Sequence, residues 1–521
     1  MKKVILILFT LHTSLFTLHC LAQPSIQWEK CLGGSYDDEG YSIYQTNDGG
    51  YIVSGYSLSN DGNLDSSNIG SAWIVKLNSI GTIQWEKSYG SPQRGDYPES
   101  IIQTSDGGYI FVGNTEDSLP GFHGEIDAWV CKLNDTGGIQ WSKCYGGSLM
   151  DYGNSIVQTL DGGYIFAGFT NSNDGDVSGN HGNDDCWVVK LNDTGAILWS
   201  KCYGGSGYEE AKSIIQTTDT GYIITGATNS SDGDVTGCFG NSGNQWTVKL
   251  DNIGNIQWQR CHGGTNGANG YSILQTPDLG YIIGGFTASD DGDVSENHGG
   301  IDYWFVKLTD TGDIQWQKCF GGSGDDEALS VVIMTDGNYA IGGYSASTDG
   351  EVTGNHGEYD FWIVKLDTNG TMLWEECLGG PVDEQLYKMT ATNDNGLALI
   401  GITTGNGGEV SGFHGGVSGD YWIVKLNPDS ITGIKEINNN DGMRVYPNPV
   451  SETLTIRNYE LGIRNGEIEI TDVMGGEVYH SQFSTLNSQL FTIDVSGFSK
   501  GMYFYRITSD KETMQGKFVK Q

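Results

Sequence analysis

The chain has 521 residues, 79 of them glycine, with 14 tryptophans, 27 tyrosines and a formal net charge of −38. So acidic a surface repels nucleic acid and anionic lipid, which excludes a nucleic-acid partner. Abundant glycine and aromatic residues suit many short strands joined by turns.

The N-terminal stretch MKKVILILFTLHTSLFTLHCLA, residues 1–22, combines two lysines with an apolar run and a small residue before Gln23. It reads as an export signal cleaved after Ala22. His19 is too bulky and polar for a lipoprotein site at Cys20. No later run is long or apolar enough to span a bilayer, so no transmembrane segment is expected in the mature chain.

Two tryptophan series organise the chain beyond this signal. One runs Trp28, Trp85, Trp141, Trp199, Trp258, Trp316, Trp374; the other runs Trp73, Trp129, Trp187, Trp246, Trp304, Trp362, Trp422. Together they use all 14 tryptophans at a period near 58 residues and count seven units. In the third unit, SIVQT, YIFAGFT, CWVVKLN and AILWSKCY read as four strands punctuated by LDGG, a long loop and DTG. Four strands at this period predict a β-propeller blade, with both sheet faces covered by its neighbours. The chain opens on a fourth-type strand, SIQWEKC, and the last unit ends on a third-type strand, DYWIVKLN. The first strand can therefore complete the seventh blade and hide an edge. An open solenoid is the alternative geometry.

The long loops carry paired carboxylates at Asp174/Asp176, Asp232/Asp234, Asp291/Asp293 and Asp349/Glu351. Such hard oxygens suit calcium, the one cofactor the sequence raises. The pattern is looser than an EF-hand and degrades in units one, two and seven. The competing reading is an Asp-Gly turn whose carboxylate caps backbone N–H groups. The spacings His123/Asp127, His181/Asp185, His298/Asp302 and His356/Asp360 suggest a local hydrogen bond shaping the same loop. Two ligands per loop are too few for zinc.

Cys31, Cys144, Cys202, Cys261, Cys319 and Cys377 each follow a first-series tryptophan by three residues and read as small buried packing residues. Cys131, Cys186 and Cys238 stand outside that series and leave room for one local bridge. The polar residues recur with the repeat, and no triad or acid/base pair stands out. The turn TSDGGYI (104–110) resembles the Asp-box hairpin of sialidase propellers. Sialidases hold their substrate with several arginines, however, and this region has only Arg94 and Arg260.

After a polar stretch at 429–441, residues 442–521 contain no tryptophan or cysteine and are near-neutral. TLTIRN, EIEITDV, FTIDVS, MYFYRIT and KFVK read as strands of a small β-sandwich. The start Tyr446-Pro447-Asn448-Pro449, the strand opening Gly501-Met502-Tyr503 and the end Gly516-Lys517 resemble the C-terminal sorting domain (type A-like) of type IX secretion cargo in Bacteroidetes. That resemblance implies partners in the outer-membrane translocon and its processing and attachment machinery. It also implies periplasmic transit, then release or attachment to the outer face of the outer membrane. The repeats themselves resemble uncharacterised Gly/Trp-rich repeat propellers of that group.

The expectation is an all-β protein: a signal at 1–22, a seven-bladed β-propeller over 23–428, a linker at 429–441, and a β-sandwich sorting domain over 442–521. The expected role is a non-enzymatic binding or adhesion module for a surface glycan or protein. The alternative is an extracellular polysaccharide-active hydrolase or lyase with a site assembled on the propeller.

Overall fold

The computed structural model describes residues 23–520 except 65–70, 92–94, 117–118, 241, 416–418, 430–442, 447–449, 459–463, 473–475, 486–489 and 509–512. The proposed signal and most of the proposed linker lie outside the described residues. The chain divides into two compact units, Leu21–Ser430 and a second containing Ile431–Gln521.

Among the described residues every regular element is a strand. The larger unit contains seven four-stranded antiparallel sheets. The third is typical: Asp151–Gln158, Tyr164–Thr170, Asp185–Leu191 and Ile197–Tyr203, paired in that order. Its first turn closes through Gly162 N donating to Thr159 O at 2.9 Å. Gly162 has φ +84, a conformation that a side chain would strain. Second and third strands are buried almost throughout, while fourth strands are half-exposed. A period-2 alternation is therefore absent from the middle strands because both of their faces are covered.

The two tryptophan series have distinct tasks. Third-strand tryptophans are buried, and their indole N–H reaches across to the fourth strand, as in Trp187 to Ser200 Oγ at 2.9 Å. Six fourth-strand tryptophans pack on the second-strand tyrosine of the following sheet, as in Trp199 on Tyr222 at 6.1 Å between centroids, and Trp374 meets Leu397 instead. Apolar clusters accordingly lie between consecutive sheets: Val112 and Val130 of the second meet Phe166, Trp187 and Val189 of the third.

The seventh sheet is completed from the N-terminus. Its strands are Glu384–Ala391, Leu397–Thr403, Asp420–Leu426 and, as the fourth, Ile26–Leu32. Trp422 Nε1 donates to Glu29 Oε2 at 3.3 Å, and Trp28 packs on Tyr51 of the first sheet at 5.6 Å. Both contacts reproduce those made within the repeat. The first strands touch in succession through all seven sheets, and the last, Glu384–Ala391, touches the first, Asp38–Gln45.

Within the repeat-series cysteines the expectation needs one correction. Cys261 is bonded to Cys238 across a separation of 23 residues, because the fourth unit's loop places a second thiol beside it. Cys31, Cys131, Cys186, Cys202, Cys319 and Cys377 are free and buried, and Cys144 is buried as well.

The smaller unit pairs a sheet of Met443–Tyr446, Thr453–Asn458 and Leu490–Asp494 with a sheet of Glu477–Thr485, Arg464–Asp472, Gly501–Thr508 and Thr513–Lys520. Leu454 and Ile493 of one sheet meet Ile468, Ile470, Tyr503 and Phe518 of the other. Two sheets on one core make a β-sandwich.

Candidate functional site on the first strands

Each first strand carries a register shift, as between Gly153 and Ser155 in the third sheet. The shift recurs in all seven sheets and leaves an extra residue without a cross-strand partner. Those residues are Tyr41, Glu99 (beside Pro98), Asn154, Lys212, Tyr271, Leu329 and Tyr387, each partly buried. The residue that follows is a serine in six sheets and Lys388 in the seventh, where burial lowers the lysine's pKa. The serine ties neighbouring first strands together, as where Ile101 N donates to Ser42 Oγ at 3.2 Å. The bulge residue, by contrast, changes chemistry from sheet to sheet.

The first strands touch one another, so these individual side chains meet. Tyr41 and Tyr387 lie 5.8 Å apart, and Lys212 Nζ stands 5.2 Å from the Tyr271 ring centre. Lys212 also pairs with Glu210. Glu210 accepts from Asn154 Nδ2 at 3.2 Å and from Tyr208 hydroxyl at 2.6 Å. Tyr41 donates to Glu39 at 2.7 Å and Tyr344 to Glu327 at 2.8 Å. Burial pushes Glu99 up to about 7, with Lys212 opposing the rise and Glu210 and Glu39 adding to it. For Lys212 burial disfavours the charge, yet Glu210 and Glu99 hold its pKa above the ordinary lysine value. The bulge residues thus offer the Lys212 ammonium, one carboxyl group that ionises near neutrality, an amide and three aromatic faces.

Sequence reading missed these residues because each lies inside a strand that otherwise follows the repeat. The available signal was one alignment column, Tyr, Glu, Asn, Lys, Tyr, Leu, Tyr, set among repeated serines and aliphatics.

The loop carboxylates do something else. Asp174, Asp232, Asp291 and Asp349 each accept, at 2.7 Å, the backbone N–H of Ser148, Ser206, Thr265 and Ser323 respectively. Asp234, Asp293 and Glu351 accept weaker bonds of 3.3–3.4 Å from Gly204, Gly263 and Gly321. Asp176 donates its own N–H to Gly146 O at 2.9 Å. Among the described residues no group of three or more His, Cys, Asp or Glu side chains converges as a metal would require.

The His–Asp hydrogen bonds form as the spacing suggests. His181, His298 and His356 Nδ1 lie 2.6, 2.8 and 2.7 Å from Asp185, Asp302 and Asp360 Oδ2, and His414 adds a fourth pair with Asp420 at 2.6 Å. In His123 and Asp127 the same atoms are 3.5 Å apart. The Oδ1 atoms of all five aspartates are buried without a hydrogen-bond partner. Each faces a carboxylate of the next sheet's first strand across a glycine. A β-carbon added to Gly321 would lie 2.7 Å from Asp302 Oδ1 and 2.5 Å from Asp326 Oδ2. Burial pushes Asp38 and Asp326 up to about 6 and Glu384 up to about 7, with the facing aspartate adding repulsion and donors to each carboxylate opposing the rise.

In the smaller unit Tyr503 is buried and stacks on Phe518 at 5.6 Å, its hydroxyl donating to Ser499 O at 2.8 Å. Gly501 opens its strand. Tyr446 pairs in backbone register with Thr455, Gly516 with Tyr505 and Lys517 with Phe504. Pro447, Asn448 and Pro449 lie outside the described residues.

Residues 444–521 match the family described as a secretion system C-terminal sorting domain. This chain is type IX secretion cargo. The sorting domain directs export through the type IX machinery to the cell surface or into the medium. Among the described residues no helix is long and apolar enough to cross a membrane. No curated protein matches the chain.

Among solved structures, a DUF3244 family protein from Bacteroides vulgatus with an immunoglobulin-like β-sandwich is 28% identical. The match covers 16% of this chain and 88% of that one, with a TM-score of 0.15. Sqt1 from Chaetomium thermophilum is 13% identical over 77% of this chain and 100% of that one, at a TM-score of 0.38. A GH43_12 protein retrieved from a capybara gut metagenome is 10% identical over 96% and 92%, at 0.28. Likenesses this loose carry no functional argument.

Proposed function

We propose that residues 23–428 form a closed seven-bladed β-propeller that serves the exported protein as a binding module for a glycan or protein outside the cell. The closure is supported by the completion of the seventh sheet by Ile26–Leu32 and by contact between its first strand and that of the first sheet. In this reading the cleaved signal at 1–22 and the linker at 429–441 serve delivery alone.

One observation carries the binding role. On a scaffold that largely repeats its side chains from sheet to sheet, individual ones gather at the bulges of touching strands. A rigid ring presenting aromatic faces, an amide and a charged pair is suited to hold a polar ligand. The carboxylates there are mostly engaged: Glu210 by Lys212, Asn154 and Tyr208, Glu39 by Tyr41, and Glu327 by Tyr344. Hydrolysis of a glycoside asks for two free carboxyl groups flanking one bond.

A second reading, a polysaccharide hydrolase or lyase, is favoured by Glu99 alone, whose pKa of about 7 suits a general acid.

The experiment is a glycan and protein array probed with the full exported chain, followed by calorimetry on any hit. Tyr387→Ala and Lys212→Met should each weaken binding at least tenfold with an unchanged melting temperature. Unaltered binding by both variants rejects the site. Release of reducing ends from a polysaccharide, abolished in Glu99→Gln, moves the protein to the enzymatic reading.

A further inference from the structure

One sheet junction departs from the repeat. Between the fourth and fifth sheets lies a cavity of about 360 Å³, lined by Tyr208, Asn229, Asn266, Asn269 and Phe286 among others. At two positions here the repeat's larger side chains give way to alanine. Ala227 stands where the third sheet has Phe169 and the sixth has Tyr344, and Ala268 stands where the other first strands begin with Asp or Glu. Two truncations to alanine at one junction open the cavity.

Its chemistry is also singular. No Asp, Glu, Lys, Arg or His lines it, whereas the other described junctions carry buried carboxylates. Beneath Ala227, its cross-strand partner Gln245 is fully buried, with both Oε1 and Nε2 lacking hydrogen-bond partners. The residues at this position in the fifth, sixth and seventh sheets are Tyr303, Phe361 and Tyr421. Thr225 and Thr247 on the same sheet face, and Asn269 on the cavity wall, each keep an unpartnered buried oxygen. Of these residues Asn269 belongs to the cavity lining, and because an unpartnered buried polar group is costly, its place there suits the wall to a polar ligand. The Cys238–Cys261 disulfide anchors the loop that leads into the wall residues Ser242 and Gly243.

We propose that this cavity is a subsite for one neutral sugar unit of a glycan, an inference that rests on the binding role proposed above and assigns it a ligand class. Asn229, Asn266 and Asn269 supply amides to the hydroxyls, and the half-exposed rings of Tyr208 and Phe286 supply faces for the sugar's C–H surface. A charged sugar would lose its hydration there without meeting a counter-charge. The volume lies at the lower end of the range for small-molecule pockets, roughly 300–1,000 Å³. Tyr208 connects the two sites, since its hydroxyl donates to Glu210, the partner of Lys212 and Asn154. A chain of sugars seated in the cavity would run toward the bulge residues.

The test uses the full exported chain, an array of neutral and uronic-acid oligosaccharides, and calorimetry with the best neutral ligand. Phe286→Ala and Asn269→Ala should each weaken binding at least tenfold. Ala227→Phe restores the repeat's own side chain and should abolish binding while leaving the melting temperature equal or higher, which covers a cavity-lining variant that fails to fold. Neutral-glycan binding that survives all three variants but is lost in Tyr387→Ala overturns the subsite and leaves the bulge site standing. Preference for uronic-acid ligands, or binding to protein alone, overturns the neutral-sugar assignment.

Discussion

Lys132 Nζ stands 2.9 Å from Asp106 Oδ2, fastening the third strand of the second sheet to the turn between its first two strands. The same ammonium donates to Leu133 O and Gln140 Oε1, so a lysine only 3% exposed has its donors met. The bond recurs in every sheet, from Lys76 with Asp48 to Lys425 with Asp394. The turn that looks like an Asp-box is thus a structural latch.

Asp106→Asn should lower stability by roughly 1–3 kcal/mol, because a buried ammonium loses its counter-charge while its neutral acceptors remain. Equilibrium denaturation measures it. Equal loss in Asp106→Asn and Asp106→Asn/Lys132→Met would show that the ammonium's isolation is not the cause.

Deletion of residues 25–31 should cost several kcal/mol, since it exposes the edge of Asp420–Leu426 and removes the Trp28 packing on Tyr51. Thermal melting should show a lower midpoint and a broadened transition. An unchanged melt rejects ring closure.

In metal-free buffer the melting temperature should fall as pH rises from about 5 to 7.5. A carboxyl group whose folded pKa is raised gives stability that is complete below its unfolded value and is lost as pH climbs through the folded one. Asp38 and Asp326 at about 6 and Glu384 at about 7 set that window. Each such shift is worth on the order of 3 kcal/mol. Asp106 works the other way. Burial opposes ionisation, but the Thr104 and Lys132 bonds hold its pKa at about 2, so its contribution is lost only as pH falls below 4. Asp326→Asn should flatten the neutral slope, which scanning calorimetry across pH would show.

Calcium should leave the melting temperature unchanged if Asp174, Asp232, Asp291 and Asp349 act as turn caps, the role their backbone bonds describe. Melts in chelator and in millimolar calcium decide it. A rise erased by changing Asp174, Asp176, Asp291 and Asp293 to Asn would assign calcium to the loops.

Truncation after residue 430 should leave a folded repeat unit that accumulates in the periplasm, since the repeat unit has apolar cores of its own. Fractionation with circular dichroism checks it. Surface display of the truncated chain would remove the sorting domain's role.

The repeat, its seven units, the strand phases at both ends and the sorting module were all legible in the amino-acid sequence. Trp422 and Glu29 could be matched because each unit repeats one local pattern, and a pattern with a period needs no knowledge of distance. The opposite holds for the bulge residues, the Ala227 and Ala268 cavity, and the choice of Cys261 as partner for Cys238. A register shift at Gly153/Ser155 is a property of strand pairing, and only packing of successive first strands brings Asn154 to Glu210 and Lys212 to Tyr271. Burial sets the remaining chemistry. Asp302 and Asp326 are ordinary acids in the sequence, and Asp326 is raised by burial, with Asp302 adding to the rise, because two sheets close over them across Gly321. Short-range periodicity is written along the chain, whereas proximity between distant strands arises only when the sheets pack.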